Sequence, residues 1–332
     1  MKFALLGHTG HLTYYEQILH DLPDVQVAAV ALASPGETLD AFAKAPGVTA
    51  ATPRYTDAEQ MLDRVQPDLV QICVQPHLIP VWIERCAQRG IAVMAEKPLA
   101  MDLTTLAHLY DVVKAAQIPL APLHGYRRMK HFEAVAQAVR SGQIGEPLGS
   151  YSQISYRWGA RRPDYFRSRE TFPGIAPFIG AHVVDWLMWA MGDVLTAVSG
   201  WETTIAHPDY PACASQAGLL FQLRNGGVAT VSLDFLRPST APTHGDERVR
   251  IVGSRGVVES FANDGTATLI NEAQGVTALA NPTTSHWYTA FVQSIRGAGE
   301  SFISVDDAFR VTEIAIKAQQ AIDEGRMITL GR

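Results

Sequence analysis

Lys2-Phe3-Ala4-Leu5-Leu6-Gly7-His8-Thr9-Gly10-His11-Leu12 opens the chain with an apolar run that passes directly into a glycine-bearing turn. A short apolar run bounded by glycine reads as a strand covered on both faces, and such strands belong to parallel sheets layered with helices. Val25–Leu32, Leu69–Val74, Ile91–Ala95 and Pro119–Leu123 repeat the pattern, with helical periodicity between them. The first third is therefore predicted to be a doubly wound α/β domain. Ligands of such sheets bind beyond the carboxyl ends of the strands. The turn Gly7, His8, Thr9, Gly10, His11 stands where backbone N–H groups would meet a dinucleotide pyrophosphate.

Beyond Leu123 the grammar changes. One more helical pattern, Met129 to Arg140, precedes longer runs at Leu148–Trp158, Val194–Thr204, Gln216–Leu223, Val228–Phe235 and Arg248–Val252. These predict a largely antiparallel open sheet, and Asn225-Gly226-Gly227 between two of them is a hairpin signal. A helix over Ala176–Met191 fills a crossover. Two late helices begin near Ser285 and Ser304, the second with Asp307 placed as in a capping box. The division drawn from sequence is 1–122 for the dinucleotide-binding domain and 123–332 for a second domain of α+β class.

Composition excludes several classes. The 332 residues are 47% hydrophobic and 18% charged, ordinary for a folded chain and unlike disorder or fibre. Lys and Arg number 27 against 33 Asp and Glu, a net charge of −6, so no basic field points to nucleic acid. Cys73, Cys86 and Cys213 are too few and scattered for a disulfide framework or a metal knuckle, which fits a cytoplasmic protein. The N-terminal apolar core is too short for a secretory signal. The apolar stretch Gly180–Gly192 is broken by His182 and Asp185 and falls short of the roughly 20 residues that span a bilayer, so no membrane is implied.

The glycine turn is a degraded fingerprint. Against G-x-G-x-x-G only Gly7 is in register, Thr9 and Leu12 fill the other slots, and Gly10 is displaced by one. A bare turn is the alternative reading. The second strand ends Leu32-Ala33-Ser34-Pro35, with no acid for ribose hydroxyls and no arginine for a 2′-phosphate, which leaves NAD and NADP both open and Ser34 as a candidate partner.

The most informative stretch is Gln75-Pro76-His77, a helix, and then Ile91-Ala92-Val93-Met94-Ala95-Glu96-Lys97-Pro98. Glu-Lys-Pro at the end of the fifth strand resembles the hallmark of the Gfo/Idh/MocA oxidoreductases of sugars and cyclitols. Gly142-Gln143-Ile144-Gly145-Glu146-Pro147, Gly180-Ala181-His182-Val183-Val184-Asp185 and Ile251-Val252-Gly253-Ser254-Arg255-Gly256 resemble later family segments, in family order. The resemblance implies a Rossmann-type first domain, NAD or NADP as cofactor and a small sugar or polyol substrate. It also implies a cis Lys97–Pro98 bond and a homodimer or homotetramer assembled through the open sheet.

Physically, a lysine at the carboxyl end of a parallel strand points into the ligand crevice. Burial and a neighbouring nicotinamide cation would lower its ordinary pKa of about 10.4 towards a general base's range. A surface lysine paired with Glu96 is the plain alternative. His182 and Asp185 are spaced i, i+3 and share a helix face. That spacing alone also fits a core histidine or part of a metal site, and no metal is assigned. The resemblance implies that His182 faces the substrate hydroxyl and works with Lys97, with Asp185 structural or a substrate acceptor.

Members of the family commonly carry an Asp four residues before this histidine, whereas Phe178 stands here. Any proton relay then rests on Lys97, His182 and a tyrosine such as Tyr165. Arg157, Arg161, Arg162, Arg167 and Arg169 crowd the preceding loop beside Trp158 and Tyr165. They read as recognition of a carboxylated or phosphorylated sugar, or as a solvated loop or subunit contact. Arg127 and Arg128 lie near the domain junction, where one could pair with Glu96 and Arg128 could touch substrate. The expectation is an NAD(P)-dependent dehydrogenase. The alternatives are a non-catalytic dinucleotide-responsive regulator and an NAD-assisted glycoside hydrolase or lyase.

Overall fold

The computed structural model describes residues 1–261 and 265–331, with the side chain of Arg128 outside the description. The chain divides into two compact units, Met1–Gly125 with Ser285–Thr312, and Tyr126–Thr284 with the chain from Glu313 onward. The sequence division is a single cut near 123. The chain instead returns once to the first unit, through a segment whose helical pattern carries no mark of the layer it joins.

In the first unit the elements are β1 (Lys2–Leu6), α1 (Glu16–Asp21), β2 (Gln26–Ala31), β3 (Arg54–Tyr55), α2 (Ala58–Val65), β4 (Leu69–Ile72), α3 (Ile79–Ala87), β5 (Ala92–Ala95), α4 (Leu103–Ala116) and β6 (Leu120–Pro122). The six strands are parallel in the order β3-β2-β1-β4-β5-β6. Every residue of β4 and β5 is buried, as strands covered on both faces require. Side-chain caps set the helix starts: Asp57 accepts from the Gln60 amide and Asp102 from the Thr105 amide. This arrangement leaves the carboxyl ends of β1, β2, β4 and β5 side by side, around the place where strand order reverses.

The second unit contains α5 (Lys130–Arg140), β7 (Pro147–Arg157), α6 (Ala181–Met191), β8 (Leu195–Thr203), β9 (Gln216–Leu223), β10 (Val228–Arg237), β11 (Gly245–Gly253), β12 (Gly256–Phe261), β13 (Thr266–Asn271) and β14 (Gly275–Ala278). After α7 (Trp287–Ile295) and α8 (Val305–Glu324), β15 (Ile328–Thr329) closes the sheet edge. The nine-stranded order is β14-β13-β12-β11-β7-β10-β9-β8-β15, antiparallel except for the β7–β10 pair. β9 alternates exposed and buried along its length, so one face of the sheet is open. On the other face α6 packs against β7 and α5.

Gly226 takes a positive φ in the expected hairpin, and the Ser304 side chain accepts from the Asp307 amide at the start of α8. The helix expected over Ala176–Met191 is two pieces, a π-helical turn over Ala176–Gly180 and then α6. Such turns recur at functional sites.

Candidate active site

In the first unit the site is built by strand ends. Gly7 and Gly10 both have positive φ, and a Cβ on either would collide, at Gly7 with the Cys73 carbonyl and at Gly10 with the Glu96 carboxylate. The displaced second glycine thus has its own purpose: it makes room for the acid at the end of β5. The amides of this loop are largely spoken for. Thr9 donates to the Cys73 carbonyl at 2.8 Å, His8 to Glu37 Oε1 at 2.9 Å and His11 to Glu96 Oε1 at 2.5 Å. Gly10 is exposed, and among the described residues its amide makes no such bond.

Glu96 is 5% exposed and Lys97 4% exposed. Burial by itself would raise the Glu96 carboxyl. The opposing pull of His11, whose Nδ1 lies 2.7 Å away, and of Lys97 outweighs burial and holds the carboxyl at about 2. His11 is thus a direct partner of the acid, and Arg127 Nε donates to a carboxylate in the second unit described below. The Lys97–Pro98 bond is cis. Gln71 ties the same loop from β4 by donating to the Leu12 carbonyl at 2.9 Å.

At the end of β2 the structure supplies an acid that the sequence reading lacked. Glu37 folds back and accepts from the Ala33 amide at 2.7 Å and the Ser34 amide at 2.9 Å, besides that of His8. The Pro35-Gly36 turn after the strand was the available signal, because a turn returns the third residue to the strand end. Ser34 Oγ accepts from the Gln75 amide at 3.3 Å, which joins the β2 and β4 ends. Pro76 and His77 follow in a short 3₁₀ turn, Pro76–Leu78.

In the second unit His182 is 5% exposed on α6, with the ring of Tyr126 edge-on at 4.9 Å. The Tyr126 hydroxyl donates to Glu247 Oε1 at 2.7 Å and lies 2.7 Å from the Tyr156 hydroxyl. Burial pushes the Glu247 carboxyl up. No sequence spacing flags this cluster, since its members come from separate elements. Asp185 is fully buried and receives Arg127 Nε at 2.9 Å. Trp158 stacks on His207 at 3.8 Å and meets Phe235 edge-on at 5.6 Å. Tyr165 lies against Phe166, 4.6 Å between centroids, and Phe178 is half-exposed among buried neighbours. Arg128, the remaining candidate contact, falls outside the described side chains. No group of three or more His, Cys, Asp or Glu able to hold a metal occurs among the described residues, nor any helix long and apolar enough to cross a membrane.

Two family models match this chain one after the other. Residues 1–124 match the oxidoreductase family with NAD-binding Rossmann fold, and residues 132–259 match the GFO/IDH/MocA C-terminal domain. The chain belongs to the Gfo/Idh/MocA family. It is similar to D-apiose dehydrogenase of Paraburkholderia graminis, 24% identical over 99% of this chain and 89% of that one. It is equally similar, at 24% identity, to inositol 2-dehydrogenase of Rhizobium meliloti, over 99% of each chain. A solved Thermotoga maritima structure, 29% identical, superposes with a TM-score of 0.92 over 99% of this chain and all of that one. Levoglucosan dehydrogenase in complex with NADH shares the fold, with a TM-score of 0.84 at 16% identity over 100% and 99% of the two chains.

Membership makes the protein an oxidoreductase of CH–OH groups that uses NAD or NADP. The residues present fit that cofactor. The exposed Gly10 amide offers a donor to a pyrophosphate, and the Glu37 carboxylate stands at the strand end where adenosine ribose hydroxyls are bound.

Proposed function

We propose that the protein interconverts a hydroxyl and a carbonyl on a sugar, polyol, cyclitol or sugar acid, with Lys97 as general acid/base. The observation that carries this reading is Lys97 itself, buried at the carboxyl end of β5 beside an acid held ionised by His11. A nicotinamide, when bound, accepts or returns the hydride. Lys97 Nζ takes the hydroxyl proton in oxidation and gives it back in reduction. His182, its ring fixed by Tyr126, orients that hydroxyl. With Phe178 in place of an acid, the proton steps rest on these two side chains.

The loop Gly7–His11, Ser34, Gln75, Pro76, His77 and Glu96 hold the dinucleotide, with Lys97 beside the nicotinamide and Glu37 on the ribose. Trp158, Tyr165, His182 and Arg128 hold the substrate. A carboxylate at the ribose edge favours NAD over NADP, whose 2′-phosphate it would repel. Reaction geometry supplies much of the rate by holding donor and acceptor carbons at attack distance. The open sheet face assembles a homodimer or homotetramer, and a reducing cytoplasm suits its three buried free thiols.

The test is a screen of aldoses, polyols, cyclitols and sugar acids with NAD⁺ and NADP⁺, followed both by dinucleotide absorbance and by product analysis. Stoichiometric dinucleotide reduction with a carbonyl product supports the reading. Glycoside cleavage without net reduction would assign the family's NAD-assisted chemistry instead, and dinucleotide binding without any product would leave a regulator, the reading that Phe178 favours.

A further inference from the structure

Residues 157–169 hold five arginines and one aspartate. The structure sorts them. Arg161 and Arg167 share Asp164, at 3.1 and 3.4 Å, and Arg169 pairs with Asp323 at 2.7 Å. Arg157 and Arg162 have no carboxylate within ion-pair distance among the described residues. Each also has a buried Nε–H without an acceptor.

Arg162 is the one set in a ligand-like environment. Its guanidinium carbon lies 4.9 Å from the ring centre of Phe235, 5.1 Å from that of Trp158 and 5.4 Å from that of Phe166. Its one hydrogen bond runs from Nη2 to the Arg157 carbonyl at 3.0 Å. A guanidinium covered by rings on its faces still presents its N–H donors in the plane, in the fork that matches an oxyanion. The titratable groups that act on it are Cys213, Tyr165 and Tyr210, none of them a carboxylate. Burial disfavours its charge, and among the described residues no carboxylate stands within ion-pair distance to offset that.

Position connects this cation to the reaction. Phe166 and Phe235 also touch Phe178, at 5.2 and 6.5 Å, and Phe178 stands one helical turn before His182. Phe178 thus shares two ring neighbours with Arg162, which places the guanidinium beside the turn that leads into α6. We propose that Arg162 binds an anionic group of the substrate, so that the reacting compound is a hydroxy acid or phosphate of the sugar class rather than a neutral sugar. This rests on the dehydrogenase reading above and narrows its substrate.

Protein saturated with NADH would be titrated by calorimetry with D-gluconate, D-glucuronate, D-glucose 6-phosphate and D-glucose, and the same four compounds would be offered with NAD⁺ while absorbance is followed. At least one anion should bind at least ~10-fold more tightly than D-glucose, with an advantage that shrinks in salt. The carboxylate and phosphate arms distinguish the two oxyanions. Arg162→Gln should remove the advantage while leaving D-glucose within about twofold, and Arg162→Lys should restore part of it. Should Arg162→Gln not fold, Arg162→Met keeps the aliphatic packing against the rings without the charge, and it should erase the advantage as well.

Equal affinity for D-glucose and the anions, no anion binding at millimolar concentration, or an advantage that survives both substitutions would overturn the proposal. Arg162-dependent anion binding with no NADH formed from any compound keeps this inference and removes the dehydrogenase reading. NADH formed from D-glucose with no anion advantage does the reverse.

Discussion

At the end of β5 an acid is fully buried and yet ionised, with His11, Lys97 and main-chain amides gathered around it. In the loop after β7 the Arg162 guanidinium lies over three rings and, among the described residues, donates to one carbonyl. The first charge is compensated by the protein's own groups, as is Glu37, whose carboxylate takes three backbone amides. The second is not. A charge answered from within serves architecture, here the shape of the cofactor end, whereas one left unanswered in an apolar wall invites an answer from a ligand.

That contrast can be broken or sharpened one charge at a time. The largest stability effect is expected at a compensated pair in the second unit. Asp185→Asn leaves Arg127 buried without its counter-ion and should cost about 3–5 kcal/mol in urea unfolding. A loss under ~1 kcal/mol would show that Arg127 answers to another group.

Glu96→Gln comes next, at about 3 kcal/mol near neutral pH, from the gap between the ordinary 4.5 and a folded value of about 2. A depressed carboxyl stabilises the fold above its unfolded value and loses that contribution as pH falls through the folded one. The difference between wild type and variant should therefore shrink between pH 4.5 and 2, and a difference constant across that window would contradict the assigned charge. The smallest effect is at Glu37. Glu37→Gln should weaken NAD⁺ about tenfold and improve NADP⁺ relative to it, read by calorimetry. Unchanged preference would leave Glu37 as a loop brace only.

Much of this was legible in the chain because it is local. Unbroken apolar runs marked five of the six parallel strands. β3 escaped, being two residues long and half-exposed. In the second unit β12, β13 and β14 carry no apolar run that marks them, and their pairing is set by sheet register. Of the candidate site, Lys97 and Glu96 announce themselves by adjacency on a strand end, and His182 by its place on an apolar helix. Glu37 was hidden by a turn that reverses the chain. Tyr126, Tyr156 and Glu247 meet from three elements, with 121 residues between the first and last, and no spacing rule connects them. The arginine loop was visible as charge, but which of its members is paired depends on Asp323, far along the chain in α8.

Lys97→Ala offers the most direct test, with turnover and dinucleotide affinity measured on the same preparation. Turnover of the best substrate should fall by roughly 10³–10⁴-fold while NAD⁺ affinity stays within about threefold, because a general acid/base acts on the proton and not on the cofactor's phosphates. Turnover close to that of wild type would contradict the account at its centre.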